Sequence, residues 1–235
     1  MIFGIVAAAG SGNRLSLPCF KCEVPLSGKP LFYYSLSAFE NSRLVEGVVL
    51  VLPGERLGDW SRERLLTEGF SKVMTIVPGG VTRQQSVFSA LEKLPAEVNI
   101  VVVHDGARPL VSSLAINSVC DIPEGFDGLI TAIRVTDTVK EVDNSRVVKT
   151  LDRDRLVSVQ TPQAFLRSRL YEAHKKALEK GFEGSDDASL IEFIGGKVGV
   201  IQGDRHNIKV TYPEDLVIVE RLLNRGGTNE SGNRL

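Results

Sequence analysis

The 235-residue chain predicts an α/β fold, with a mostly parallel twisted sheet, helices on both faces and a projecting β-arm. Three observations carry that prediction. Short apolar runs alternate with helical patterns along most of the chain, as in parallel sheets built through helical crossovers. The first run, Ile2 to Ala9, is unalternated and branched-rich and ends at a glycine, as a buried strand does. Residues 135 to 160 break the rhythm with polar, alternating strand patterns, which reads as an exposed hairpin leaving the main sheet.

The elements follow in order. After the first strand, Val48–Leu52, Val73–Val77, Ile100–His104, Leu129–Val135 and Val198–Ile201 read as strands. Helical patterns cover 30–41, 57–69, 83–94, 112–119, 166–180, 186–194 and 214–223. Thr82 is an N-cap candidate for the third of these, and Thr211-Tyr212-Pro213-Glu214-Asp215 is a good helix start, with Pro in the first turn and acids behind it. In the arm, strands Val135–Lys140 and Arg146–Thr150 flank an Asp143-Asn144 turn. A hairpin of this kind is marginal alone and wants a partner, so a dimerisation role over 136–155 is expected. Residues 1–224 read as one domain, and 225–235 have the composition of a disordered tail.

Composition narrows the class. The hydrophobic fraction is 43%, ordinary for a globular protein, and the net charge is −1, without the basic excess of a nucleic-acid binder. No apolar stretch approaches a membrane span, and the N-terminus lacks a charged n-region and cleavage site, so the chain is read as cytoplasmic with no membrane partner. Three cysteines are too few for a disulfide framework. Cys19 and Cys22 form a C-x-x-C around Lys21, but no second pair exists and His104, His174 and His206 lack zinc-motif spacing. Incidental loop thiols are the expectation.

The chemistry is expected where strands end. Gly10-Ser11-Gly12-Asn13-Arg14 follows the first strand, and Lys21 comes seven residues after Arg14. Glycines let bare N–H groups approach phosphate oxygens, and two cations add fixed charge. Leu15 occupies the third glycine position of the dinucleotide fingerprint, and no Gly-Lys-Ser/Thr closes a P-loop. A nucleotide triphosphate site at the carboxyl end of the sheet fits what remains.

Other junctions point to the same crevice. His104-Asp105-Gly106-Ala107-Arg108-Pro109 closes a strand: Asp105 is placed to meet a ribose hydroxyl or Mg²⁺, and Arg108 to clamp a phosphate. His104 reads as a packed, hydrogen-bonded strand-end residue. Gly79-Gly80 through Ser86 offers backbone groups and a hydroxyl to a base, and Lys209, set between Ile208 and Val210, reads as aimed at an anion.

Together these motifs resemble the 2-C-methyl-D-erythritol 4-phosphate cytidylyltransferases. The resemblance spans residues 2 to about 223 and also includes Thr136-Asp137-Thr138, Thr161-Pro162-Gln163, Asp186-Asp187-Ala188-Ser189 and Asn207-Ile208-Lys209-Val210-Thr211. It implies a Rossmann-like nucleotidyltransferase fold and transfer of a cytidylyl group from CTP to the sugar-alcohol phosphate, releasing pyrophosphate. It implies a cytidine pocket of Ala8, Ala9, Gly10, Gly80 and Ser86, with Asp105 and Ala107 near the ribose. Arg14 and Lys21 would clamp the triphosphate, with Mg²⁺ held mainly by CTP phosphates, and Arg14, Lys21, Lys209 and Asp105 form the implied catalytic set. Arg108, Lys209, Asp105 and Thr161 would face the methylerythritol phosphate, and Thr138 and Arg153 would reach the partner's site in a homodimer. Val81 stands where an acid is usual, Gly106 where a second alanine is usual, and Lys21 lies between Phe20 and Cys22 rather than Pro and Gln. Ribitol 5-phosphate cytidylyltransferases share the pattern and differ in the sugar pocket. A non-catalytic nucleotide-binding module is the alternative of another class.

Overall fold

The computed structural model describes residues 1–229 apart from 11, 13, 14 and 16–18. Arg14 and residues 230–235 therefore lie outside the described residues.

The described residues form a seven-stranded sheet in the order β11-β7-β10-β6-β1-β4-β5. Its strands are β1 (Ile2–Ala7), β4 (Gly47–Leu52), β5 (Val73–Pro78), β6 (Ile100–Asp105), β7 (Gly128–Arg134), β10 (Val157–Leu166) and β11 (Val198–Gln202). Two short hairpins lie outside it: β2 (Pro25–Leu26) with β3 (Lys29–Pro30), and β8 (Lys140–Asp143) with β9 (Arg146–Thr150). The helices are α1 (Leu31–Glu40), α2 (Arg62–Thr67), α3 (Arg83–Leu91), α4 (Ser113–Ser118), α5 (Arg167–Lys180), α6 (Asp187–Phe193) and α7 (Pro213–Asn229).

Strand alternation explains the layers. Successive side chains point to opposite faces, so an all-apolar strand feeds two cores. Val6, Leu50, Leu52 and Val102 pack with Phe32, Leu36 and Phe39 of α1 and Ile116 of α4. Their neighbours Ile5, Val49, Val51, Val101 and Val103 pack with α3, α5 and α6 through Val87, Leu91, Leu170, Ala173 and Leu190. A third cluster joins Leu15, Val24, Leu26 and Leu31 to Val210 and Val219, which seats α7 beside the first turn.

The sheet is parallel except for β10, which runs antiparallel to both β6 and β7. The sequence pattern does not reveal this strand, because Pro162 sits inside it and polar residues interrupt it. The ladder solves the problem locally: pairing jumps from Val159↔Ala132 to Gln163↔Ile130, so Gln160, Thr161 and Pro162 bulge out of register. The Thr161–Pro162 peptide is cis.

Several boundaries differ from the sequence expectation. The first arm strand starts at Lys140, not Val135, and the turn residues with positive φ are Asn144 and Ser145. Two such residues suit a two-residue hairpin turn. α2 is shorter than the expected 57–69, because Ser61 is extended and caps the helix by accepting from Arg64 N, so it starts at Arg62. α7 runs past 224 to Asn229, into the segment read as tail. Thr82 does cap α3, in a capping box with Gln85. At α7 the Asp215 carboxylate accepts from Thr211 N at 2.7 Å and Tyr212 N at 2.8 Å.

Candidate active site

From β1 the chain moves outward through β4 to β5, then returns to β6 on the other side of β1. The topological switch point therefore lies between the carboxyl ends of β1 and β6, where α/β sheets open their ligand crevice. Ala8, Ala9 and Gly10 leave β1 there, and Asp105 ends β6. Gly106 N donates to Ala7 O at 2.9 Å and ties the two ends together. The turn after β5 closes in from the other side. A Cβ on Gly79 would lie 2.2 Å from Ala9 Cβ, so only glycine permits this approach. Ser86 Oγ accepts from Gly80 N at 3.0 Å and donates to Thr82 O at 2.9 Å, so the hydroxyl shapes the Gly79–Gly80 turn. Gly12 has φ +71°, and a Cβ there would sit 2.6 Å from Lys21 Cβ, which sets the glycine turn directly against the Lys21 stem.

Asp105 is the centre of charge. Its carboxylate is 9% exposed; Oδ1 accepts from Arg83 Nε at 2.9 Å and Oδ2 lies 2.7 Å from Lys209 Nζ. Arg108 Nε stands off at 3.9 Å, and its Nη1 donates to Asn207 O at 2.7 Å. The Asp105–Arg108 contact is thus the loosest of the three. Burial alone would raise the Asp105 carboxyl, but Arg83, Lys209 and Arg108 outweigh it and hold the group far below the usual carboxylate range.

The backbone here is equally constrained. Thr161 Oγ1 accepts from Asp105 N at 3.1 Å and donates to His104 Nδ1 at 2.9 Å, while His104 Nε2 donates to Arg108 O at 3.2 Å. These roles fit a neutral imidazole, and burial takes the His104 pKa down to about 4. His104 is a strut, as its place at the strand end suggested. Asn207 Nδ2 donates to Thr161 O at 2.7 Å and lays the Lys209 segment over the β10 bulge. Beside this cluster opens a cavity of about 370 Å³, lined by Arg83, Asp105, Arg108, Thr161, Gln163 and Lys209 among others.

Of the expected site residues, Asp105, Arg108, Thr161 and Lys209 line this cavity; Ala8, Ala9, Gly10, Gly80, Ser86, Ala107 and Lys21 lie at the neighbouring turns after β1, β5 and β6 and do not line it. Ala107 takes part through its carbonyl, which accepts from Val210 N at 2.8 Å. Thr138 and Arg153 stand apart. Both are exposed on the arm, Arg153 Nη1 donating to Thr136 O at 2.8 Å, and neither lines the cavity. Arg83, which lines the cavity, and Asp187 behind it carry charge at this site and were not among the expected site residues. Arg83 reaches Asp187 Oδ2 through Nη1 at 2.7 Å, and His174 Nε2 lies 3.4 Å from Asp187 Oδ1. Their signal was the position of Arg83 in the first turn of a helix that opens on the crevice, and a second acid in Asp186-Asp187.

Glycines at the ends of β1 and β5, the Lys21 stem against Gly12 and Lys209 held on Asp105 at the switch point form the arrangement of an α/β nucleotidyltransferase. A sequence model of the 2-C-methyl-D-erythritol 4-phosphate cytidylyltransferase family matches residues 2–225. The cytidylyltransferase of that name from Bacillus licheniformis is 38% identical over 226 residues, covering 96% of this chain and 97% of the relative. Its counterpart from Geobacillus thermodenitrificans is 40% identical over 221 residues, covering 93% and 95%. The crystal structure of 4-diphosphocytidyl-2C-methyl-D-erythritol synthase from Anaerococcus prevotii is similar with a TM-score of 0.83 and 29% identity, over 95% of this chain and 96% of that one. The chain belongs to the 2-C-methyl-D-erythritol 4-phosphate cytidylyltransferase family and is a nucleotidyltransferase acting on CTP and methylerythritol phosphate in isoprenoid precursor synthesis. Among the described residues no helix is long and apolar enough to cross a membrane.

Proposed function

We propose that this chain carries out cytidylyl transfer at the Asp105 cluster, with Lys21 and Arg14 on the triphosphate and Lys209 and Arg108 on the acceptor phosphate. A phosphate oxygen of methylerythritol phosphate attacks the α-phosphorus of CTP. The new P–O bond forms as the α–β bridging bond breaks, and pyrophosphate leaves with the electron pair. The observation that carries this reading is Lys209 Nζ held 2.7 Å from Asp105 Oδ2 at the switch point. One donor of the ammonium is committed there, which fixes its position and leaves two donors for an anion. Cytidine would lie over Ala8, Ala9, Gly10, Gly80 and Ser86, with the ribose beside Asp105 and Ala107. Thr161 would line the sugar pocket while also holding the Asp105 backbone.

Mg²⁺ belongs in this reading as part of the CTP substrate. Among the described residues no group of three or more His, Cys, Asp or Glu side chains is set to hold a metal, and both Asp105 oxygens face cations. Such a donor set fits an ion carried mainly by phosphate oxygens and waters. When bound, the ion neutralises charge on the triphosphate.

A homodimer through the arm completes the reading. Every residue of β8 and β9 is exposed, including Val142, Val147 and Val148, and an isolated two-stranded hairpin needs a surface to lie on. Docking on a second copy would carry Thr138 and Arg153 toward that copy's site. Cytoplasmic residence fits the free thiols Cys19, Cys22 and Cys120. The test is pyrophosphate release with Mg²⁺ and CTP, comparing methylerythritol phosphate with ribitol 5-phosphate. Turnover with the first alone supports the assignment; turnover with ribitol 5-phosphate alone would void the sugar-pocket roles.

A further inference from the structure

We propose that Arg83 is a positioning residue for cytidylyl transfer, setting the Asp105 carboxylate and through it Lys209, and that Asp187 holds Arg83 in turn. The inference rests on the function proposed above and adds a group behind the site.

The geometry is that of a fork across two anions. Arg83 Nε meets Asp105 Oδ1 at 2.9 Å, and Nη1 meets Asp187 Oδ2 at 2.7 Å. One guanidinium plane therefore fixes two carboxylates from different elements, Asp105 at the end of β6 and Asp187 in the first turn of α6. A lysine, with one point charge on a flexible stem, cannot span them in this way. Arg83 itself starts α3 within the capping box, so its backbone is fixed between Thr82 and Gln85. Behind it, His174 of α5 stacks on Phe88 with rings 9° from parallel and sets Nε2 beside Asp187 Oδ1. Asp187 is fully buried, and its carboxyl is held low because Arg83 and His174 outweigh its burial.

The consequence lies at Asp105. With Oδ1 occupied by Arg83, the carboxylate plane cannot turn, and Oδ2 is presented to Lys209 at 2.7 Å. Without Arg83 the carboxylate would rotate between Lys209 and Arg108, and the Lys209 ammonium would lose its fixed station. A misplacement of about 1 Å at reacting groups costs on the order of a hundredfold in rate.

Removing Arg83 also strands Asp187, so activity and folding must be separated. The full chain is compared as wild type, Arg83→Gln, and Arg83→Gln with Asp187→Asn, by kcat, KM for CTP and thermal midpoint. The expected result is a kcat for Arg83→Gln lower by tenfold to a hundredfold, with KM for CTP within about threefold, and a lowered midpoint. Adding Asp187→Asn recovers the midpoint without recovering kcat. Recovery of kcat together with the midpoint would make Arg83 merely structural and overturn the proposal. So would a kcat for Arg83→Gln within about threefold of wild type, or a double variant no more stable than the single one. Failure of the assigned function is separate: it would show as wild-type protein releasing no pyrophosphate from CTP and methylerythritol phosphate.

Discussion

Replacing Asp105 with asparagine tests the charge balance of the site. In the wild-type cluster Arg83, Arg108 and Lys209 all face Asp105, and Arg83 also meets Asp187. With Asn at 105, Arg83 keeps Asp187, and Arg108 and Lys209 lose the carboxylate they face. Asp105 is 9% exposed and Arg108 12%, whereas Lys209 is 40% exposed and can swing its ammonium into water. Removing one partner of a buried pair costs about 3–5 kcal/mol, and the escape of Lys209 puts this case near the lower end, about 3 kcal/mol. The gap must also depend on pH in one direction. The folded carboxyl is held below its unfolded value of 3.8, so its stabilisation is fully present above that value and is lost as pH falls toward the folded one. Between pH 7 and pH 3 the gap between wild type and Asp105→Asn should narrow by about 1 kcal/mol, since only the unfolded wild-type chain takes up the proton. Urea unfolding of both proteins at matched concentration and at the two pH values gives the numbers. A gap that is absent at pH 7, or that stays constant or widens on acidification, would refute the electrostatic account of the cluster.

Other outcomes follow from the same geometry. Lys21→Ala should lose about 10²–10³ in kcat, or about 3–4 kcal/mol of barrier, in a pyrophosphate-release assay; activity within threefold of wild type would remove Lys21 from the triphosphate clamp. Mixing Lys21→Ala with Arg153→Ala subunits should restore activity, because one heterodimer site keeps both groups; verified heterodimers without activity would count against an arm acting in trans. Gly79→Ala drives a Cβ to 2.2 Å from Ala9 Cβ, between two backbone turns that have no flexible end to yield. It should cost about 1–3 kcal/mol in stability and weaken CTP binding in calorimetry, the binding loss exceeding that of an alanine at exposed Gly58.

Legibility in the sequence tracked periodicity. The parallel strands and most helices were visible because apolar runs and capping signals are local, as at Thr82 and Gln85. β10 was hidden because a strand carrying Pro162 and polar residues is tolerated only through a bulge, and a bulge depends on the neighbouring strands. The site was legible where motifs close strands, at Asp105 and Gly79–Gly80. It was not legible where function depends on which charges meet. Asp105 and Arg108 are close in sequence, yet Asp105 takes its short contacts from Arg83 and Lys209, which lie far from it on either side in the chain. A partner set by tertiary packing leaves no spacing to read.

The arrangement also bears on how the acceptor is activated. His104 is the imidazole beside Asp105, and both its nitrogens are engaged, with Thr161 and with Arg108 O. Burial lowers its pKa to about 4, so near neutrality it is uncharged, and its Nδ1 acceptor is already occupied by the Thr161 hydroxyl. His174 is buried against Asp187, and His206 lies exposed beside Asp204. None of the three is placed as a general base within the cavity. A phosphomonoester needs none, since its second ionisation falls near pH 6 and the attacking oxygen is already anionic. Catalysis would then rest on positioning and on charge at Lys21, Lys209 and Arg108. The rate should rise through about pH 6 with ionisation of the acceptor and stay level to pH 8. Its plateau should show a solvent deuterium isotope effect near unity. An effect of about 2 or more on the plateau, with chemistry shown to be rate-limiting by single turnover, would mean a proton in flight and return a side-chain base to the mechanism.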